Sequence, residues 1–244
     1  MHFTRISQYI TFFSAALLIA TLPATAQSTA GDRNSNDDTI QVTFECLIWE
    51  QPVKGIKYES RGEVVDIAFR PRRRSQTHDY YGPNPIRFFT EYQDAEGMTQ
   101  RRYIATVQIP EKFSNAVLFV ENPSENEHND FRILAFDDDP ASFQLGTYRI
   151  FNLTRSPVRM AFGEKTLELG PQQTNFLKPE KKLGETFGVR FWQQNEANEW
   201  EMALSNTFVY RDRARIMIFL TPPADSRWRM SARVFPEYNP SPGK

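Results

Sequence analysis

The sequence predicts an all-β chain of two tandem β-sandwiches, and three observations carry that expectation. Apolar and polar residues alternate at period two in many short runs, each closed by Gly, Pro, Ser or Asn, as half-buried strands require. No stretch repeats at the helical period. The landmarks of the first half also return, in the same order, about a hundred residues later, and such internal repetition outranks local signals as a guide to architecture. Twenty Phe, nine Tyr and four Trp against eleven Gly suit packed sheets.

The chain opens with an address. Arg5 precedes an apolar run from Ile10 to Leu22, and Ala24-Thr25-Ala26 supplies a small-x-small cleavage signal, so residues 1–26 read as a signal peptide. The run is short of the roughly 20 residues a membrane span needs, and no later run approaches that length. Export to the periplasm or the exterior is the expected destination. Of 29 Lys+Arg the leader holds only Arg5, leaving 28 against 30 Asp+Glu. That balance argues against a nucleic-acid partner, which calls for a basic excess. The single cysteine, Cys46, permits no internal disulfide and lies on the apolar face of a strand, where an inert buried thiol is expected.

Residues 27–39 are polar and read as a flexible linker. The first sandwich is expected over 40–137. Ile40, Val42, Phe44, Cys46 and Ile48 form a first strand; further strands are expected at Val53 to Tyr58 and at Glu63 to Phe69. Arg70 to Pro85 reads as a long loop. Strands resume over Ile86 to Tyr92 and Arg101 to Ile109, with Tyr103, Ala105, Val107 and Ile109 on one face, then Val117 to Val120 and Phe131 to Phe136. Asp137-Asp138-Asp139-Pro140 reads as a solvated boundary in preference to a calcium site, because adjacent acids lack the alternating spacing that turns carboxylates inward.

The second sandwich is expected over 143–238, with strands at Tyr148 to Thr154, Val158 to Phe162 and around Leu167 and Leu169. Gln51-Pro52-Val53 matches Ser156-Pro157-Val158, and Gly62-Glu63 matches Gly163-Glu164. Ile86-Arg87-Phe88 matches Val189-Arg190-Phe191, and the apolar run before Pro123 matches the one before Pro222. Phe131-Arg132-Ile133-Leu134-Ala135 matches Trp228-Arg229-Met230-Ser231-Ala232. Seven short strands in each repeat is the immunoglobulin-like pattern, from an internal duplication.

Catalytic vocabulary is thin. His78 and His128 fall in polar stretches and read as exposed, with no metal-binding spacing, nucleophile elbow or phosphate loop around them. No cofactor is implied. Asn152-Leu153-Thr154 has the form of a glycosylation sequon, inside an expected strand. The one suggestive cluster joins Arg72, Arg73 and Arg74 to Tyr80 and Tyr81, since arginine beside aromatics suits anionic sugars, lipid head groups or a protein partner. The matching loop of the second repeat is expected to turn basic at Lys178, Lys181 and Lys182.

The pattern G-x-Y-R-x-x-N-L…P-V…G…L-E-L-G-P, from Gly146 to Pro171, resembles exported bacterial β-sandwich proteins of unassigned function. That resemblance implies the fold and an envelope or extracellular location, and transfers no site residues. Two sandwiches behind a signal peptide are also similar in outline to periplasmic pilus chaperones, without the paired Arg and Lys motifs of that family's cleft. The expectation is a non-enzymatic binding or structural module of the cell envelope, its partner a protein or an anionic envelope component. Its rivals are a chaperone-like protein and a hydrolase with a site assembled from scattered residues.

Overall fold

A computed structural model describes residues 39–49, 54–121, 131–195, 197–223 and 230–238. The expected signal peptide and most of the expected linker therefore lie outside the described residues, as do Gln51-Pro52-Val53, His128, Trp228 and Arg229. Among the described residues every regular element is a strand. The first eight are β1 (Thr39–Ile48), β2 (Lys57–Ser60), β3 (Glu63–Asp66), β4 (His78–Pro83), β5 (Ile86–Gln93), β6 (Thr99–Val107), β7 (Asn115–Glu121) and β8 (Arg132–Asp137). The second eight are β9 (Tyr148–Asn152), β10 (Val158–Phe162), β11 (Lys165–Leu169), β12 (Thr174–Leu177), β13 (Thr186–Gln194), β14 (Trp200–Val209), β15 (Ala214–Thr221) and β16 (Ser231–Tyr238).

The topology repeats with an offset of eight strands. Sheets β4-β1-β7-β8 and β3-β2-β5-β6 face each other in the first half; β12-β9-β15-β16 and β11-β10-β13-β14 do so in the second. In each half the first strand pairs parallel with the seventh: Phe44 with Ala116, and Tyr148 with Ile216. Both halves carry a β-bulge at the same place, between Phe88 and Phe89 and between Phe191 and Trp192. Both join strands two and three by a two-residue hairpin. Arg61 and Gly62 take positive φ in one, and Gly163 in the other, the primed turns that match strand twist.

Among the described residues each half holds eight strands, one more than the sequence suggests. The additions are β4 and β12, edge strands with polar composition (H-D-Y-Y and T-N-F-L). Within the expected loop over 70–85, the six residues His78–Pro83 are thus strand. His78 and Tyr80 point inward and Asp79 and Tyr81 outward, and a histidine at an apolar position hides the alternation. Register also moves one landmark. Phe136 faces Val117 and Phe235 faces Met217, so the last strands align Ile133 with Ala232, two residues away from the sequence match.

Three cores result. Phe44, Tyr58, Phe88 and Leu118 centre the first sandwich, and Tyr148, Met160, Phe191 and Ile218 the second. The third lies between the halves, where Leu47, Val117 and Phe119 meet Phe151, Met217, Phe219 and Phe235. Phe119 and Phe219 stack at 4.2 Å and 12°. The strands β7 and β15 are buried on both faces, which is why they read as unbroken apolar runs. A buried Phe contributes on the order of 1.5–3 kcal/mol, so the seam is a substantial part of the folded state.

Ion pairs border that seam. Arg74 donates Nη2–H to Asp138 Oδ1 at 3.0 Å and reaches Glu45 at 3.1 Å and Glu237 at 2.9 Å. Arg215 pairs with the same Glu237 at 2.7 Å. Asp138 is therefore buried where the sequence suggested a solvated acid, and Asp137 and Asp139 are taken up by Ser142 and by the backbone of Asp139 and Ala141. The resemblance motif is equally structural. Asn152 is fully buried, its amide donating to the carbonyls of Ser156, Leu169 and Gly170 and its oxygen accepting from Thr154, so the sequon is closed to modification. Gly146 takes φ +72°, and a Cβ there would meet Tyr210 Oη at 2.6 Å.

Candidate binding pocket on the first sandwich

The five residues singled out from sequence do not form one surface. Along β1, Leu47 bridges to Arg74 while Gln41 pairs with Tyr81; six strand residues separate them, about 20 Å. Arg74 is committed to the seam. Arg72 lies over the Trp49 ring at 4.8 Å, beside Phe235, and Arg73 is exposed at the same end. Tyr80 is core, 3 % exposed, and donates its hydroxyl to the Pro83 carbonyl at 2.6 Å. Tyr81 is 47 % exposed. Lys178, Lys181 and Lys182 follow β12, whereas Arg72, Arg73 and Arg74 precede β4, so the two basic stretches are not equivalent.

Tyr81 lines a cavity of about 350 Å³ on the outside of the β3-β2-β5-β6 sheet. That size falls in the lower part of the roughly 300–1,000 Å³ typical of small-molecule sites. Its base is Phe89, excluded from the first core and only 1 % exposed. Phe89 is covered by the Arg101 guanidinium at 4.6 Å and by the Tyr103 ring at 5.9 Å, edge-on. One wall is Tyr81 to Pro83, and the other the β2–β3 hairpin with Arg61. Arg87 projects from β5.

Hydrogen bonds between the two sheets fix this shape. Tyr81 N–H donates to Ser60 Oγ at 3.0 Å, and Arg61 N–H to the Tyr81 carbonyl at 3.0 Å, so the hairpin is sewn to β4. Asn84 holds the turn into β5 by exchanging two bonds with the Ile109 backbone. Gly82 lets Tyr80 tuck beneath the wall, since a Cβ there would meet Tyr80 Oη at 2.8 Å.

The pocket's electrostatics are uneven. Arg101 pairs with Glu59 at 2.8 Å. Arg61 stands 6.0 Å from the Tyr81 ring, and neither Arg61 nor Arg87 makes an ion pair with a described residue. Two guanidinium groups without an ion pair among the described residues thus stand beside exposed phenol rings, which suits an anionic group joined to a surface that can stack. Among the described residues no cluster of His, Cys, Asp or Glu could hold a metal ion.

Sequence reading passed over Arg61, Arg87, Arg101 and Tyr103. Strict alternation puts Tyr103 on one face with Ala105, Val107 and Ile109. The bulge places Ile104 in the core, reverses the phase of β6 and leaves Tyr103 54 % exposed. The alternation of β5 does put Arg87 outward between Ile86 and Phe88, a signal available in the sequence. His78, expected in an exposed loop, is 4 % exposed: Phe44 stacks on it, Tyr58 Oη lies 3.1 Å from Nδ1 and its Nε2 has no partner. Burial pushes its pKa down, against the opposing pull of Glu45 and Asp79. Cys46 is 2 % exposed in the first core, where burial pushes its thiol pKa up.

No family model matches the chain, and no curated protein matches it in sequence.

Proposed function

We propose that this chain is an exported, non-enzymatic binding module of the cell envelope, and that its first sandwich binds a ligand bearing an anionic group. The single observation that carries the reading is the pocket in which Arg61 and Arg87, without ion-pair partners among the described residues, stand beside Tyr81 and Tyr103. The leader-like residues 1–26 support export. The repeated strand order supports a duplicated, immunoglobulin-like ancestry, with the second sandwich fixing the first through the seam.

The test is titration of the chain from Gln27 onward with simple organic anions, among them acetate and hexuronates, at low salt. Arg61→Ser with Arg87→Ser is the control. The reading expects salt-sensitive binding that the double substitution abolishes while the melting temperature stays nearly unchanged, since both side chains are exposed. Absence of binding by every anion, or binding that survives the double substitution, contradicts it.

A further inference from the structure

Resting on that reading, we infer that the pocket is built for an acidic sugar: a pyranose ring carrying one carboxylate. Three features of the site select this chemistry. The first is its charge. Arg61 and Arg87, which make no ion pair with a described residue, are joined in the same lining by the carboxylate of Glu59, which Arg101 engages at 2.8 Å. A single carboxylate matches one guanidinium fork by paired hydrogen bonds. A phosphate dianion would compete for the same guanidinium groups, and glucose 6-phosphate is its probe in the titration.

The second feature is shape. Tyr81 and Tyr103 are 47 % and 54 % exposed, and they flank a base formed by Phe89. Flat aromatic faces suit the C–H faces of a sugar ring, and two phenols cost little conformational entropy to order. The third is the mixture of donors and acceptors. Sugar hydroxyls both donate and accept, and the pocket offers guanidinium donors, the acceptor oxygens of Glu59 and phenol groups able to do either. A peptide strand would instead seek an open sheet edge, where backbone groups are free. Here the carbonyl of Tyr81 on the edge strand β4 already accepts from Arg61 N–H, and the side chains that line the pocket from β5 and β6, Arg87, Phe89, Arg101 and Tyr103, project from the sheet face.

The experiment is an NMR or calorimetric titration of the chain from Gln27 onward with four probes: D-galacturonate, D-galactose, acetate and glucose 6-phosphate. The inference expects galacturonate to bind at least about tenfold more tightly than galactose or acetate, because ring and carboxylate both contribute. Tyr81→Ala should remove that advantage while leaving acetate binding in place, and Arg87→Ser should weaken galacturonate about tenfold. Equal binding of acetate and galacturonate overturns the sugar inference and leaves anion recognition standing. Tighter binding of glucose 6-phosphate overturns it in favour of a phosphate ligand. No binding by any probe overturns both. A trigalacturonate arm separates the sources: tighter binding of the trimer assigns the pocket to a glycan chain, and equal binding assigns it to the free sugar.

Discussion

The two sandwiches share their strand order, yet the cavity lined by Arg61 and Tyr81 lies on the first. Aligned by register, Glu59 corresponds to Ala161, Arg61 to Gly163, Phe89 to Trp192, Arg101 to Trp200 and Tyr103 to Met202. Arg87 alone keeps its charge, as Arg190. The wall differs as well. In the first sandwich β4 ends at Pro83 and β5 begins at Ile86, so the crossing is pulled tight over the sheet; in the second, β12 ends at Leu177 and β13 begins only at Thr186. Backbone topology is thus indifferent to the site, which is made by outward side chains and one short turn. This is the general separation of fold from function.

The seam is where the two halves behave alike, and its loss should have the largest effect. Phe119 and Phe219 are both 0 % exposed and stack on each other. Phe119→Ala and Phe219→Ala should each cost about 3–5 kcal/mol in urea unfolding. The double variant should cost less than the sum, because each single change already removes the shared contact. Losses below about 1 kcal/mol would show that the halves are stable without the seam.

Asp138 comes next. It is buried against Arg74, with Arg215 at 3.8 Å, so Asp138→Ala strands positive charge at the junction. A cost of about 3 kcal/mol is expected, since removing one partner of a buried pair leaves the other uncompensated. A neutral result would make the pairs mere surface decoration.

The repeat was legible in the sequence because turns and buried runs carry it. Pro157, the hairpin glycines and the paired apolar stretches of β7 and β15 need no tertiary context to be recognised. The bulge was not legible. Nothing in R-R-Y-I-A-T-V marks where the phase of β6 reverses, and with it went Tyr103 and the base of the pocket. The arginine run at 72–74 misled for a related reason. Local density of charge does not reveal that Arg74 meets carboxylates sixty residues and more away, at Asp138 and Glu237.

A smaller effect sharpens the contrast between the halves. His78 occupies the place that Leu177 holds in the second sandwich. Its folded pKa lies below the ordinary 6.5, so the unfolded chain takes up the proton first. The neutral imidazole's contribution is present above about pH 6.5 and is lost as pH falls through the folded pKa. The stability of the natural chain should therefore drop as pH falls from about 6.5 towards the folded pKa. In His78→Leu that drop should shrink, at a cost of about 1 kcal/mol for the stranded Tyr58 hydroxyl. Equal pH slopes in the two proteins would contradict this.

The claim that recognition belongs to one sandwich is tested most directly by mapping amide shifts in the labelled chain as D-galacturonate is added. The account predicts perturbations at Arg61, Tyr81, Arg87, Arg101 and Tyr103, with the equivalent amides at Gly163, Arg190, Trp192, Trp200 and Met202 unmoved. Shifts centred on the second set, or spread equally over both, would contradict it.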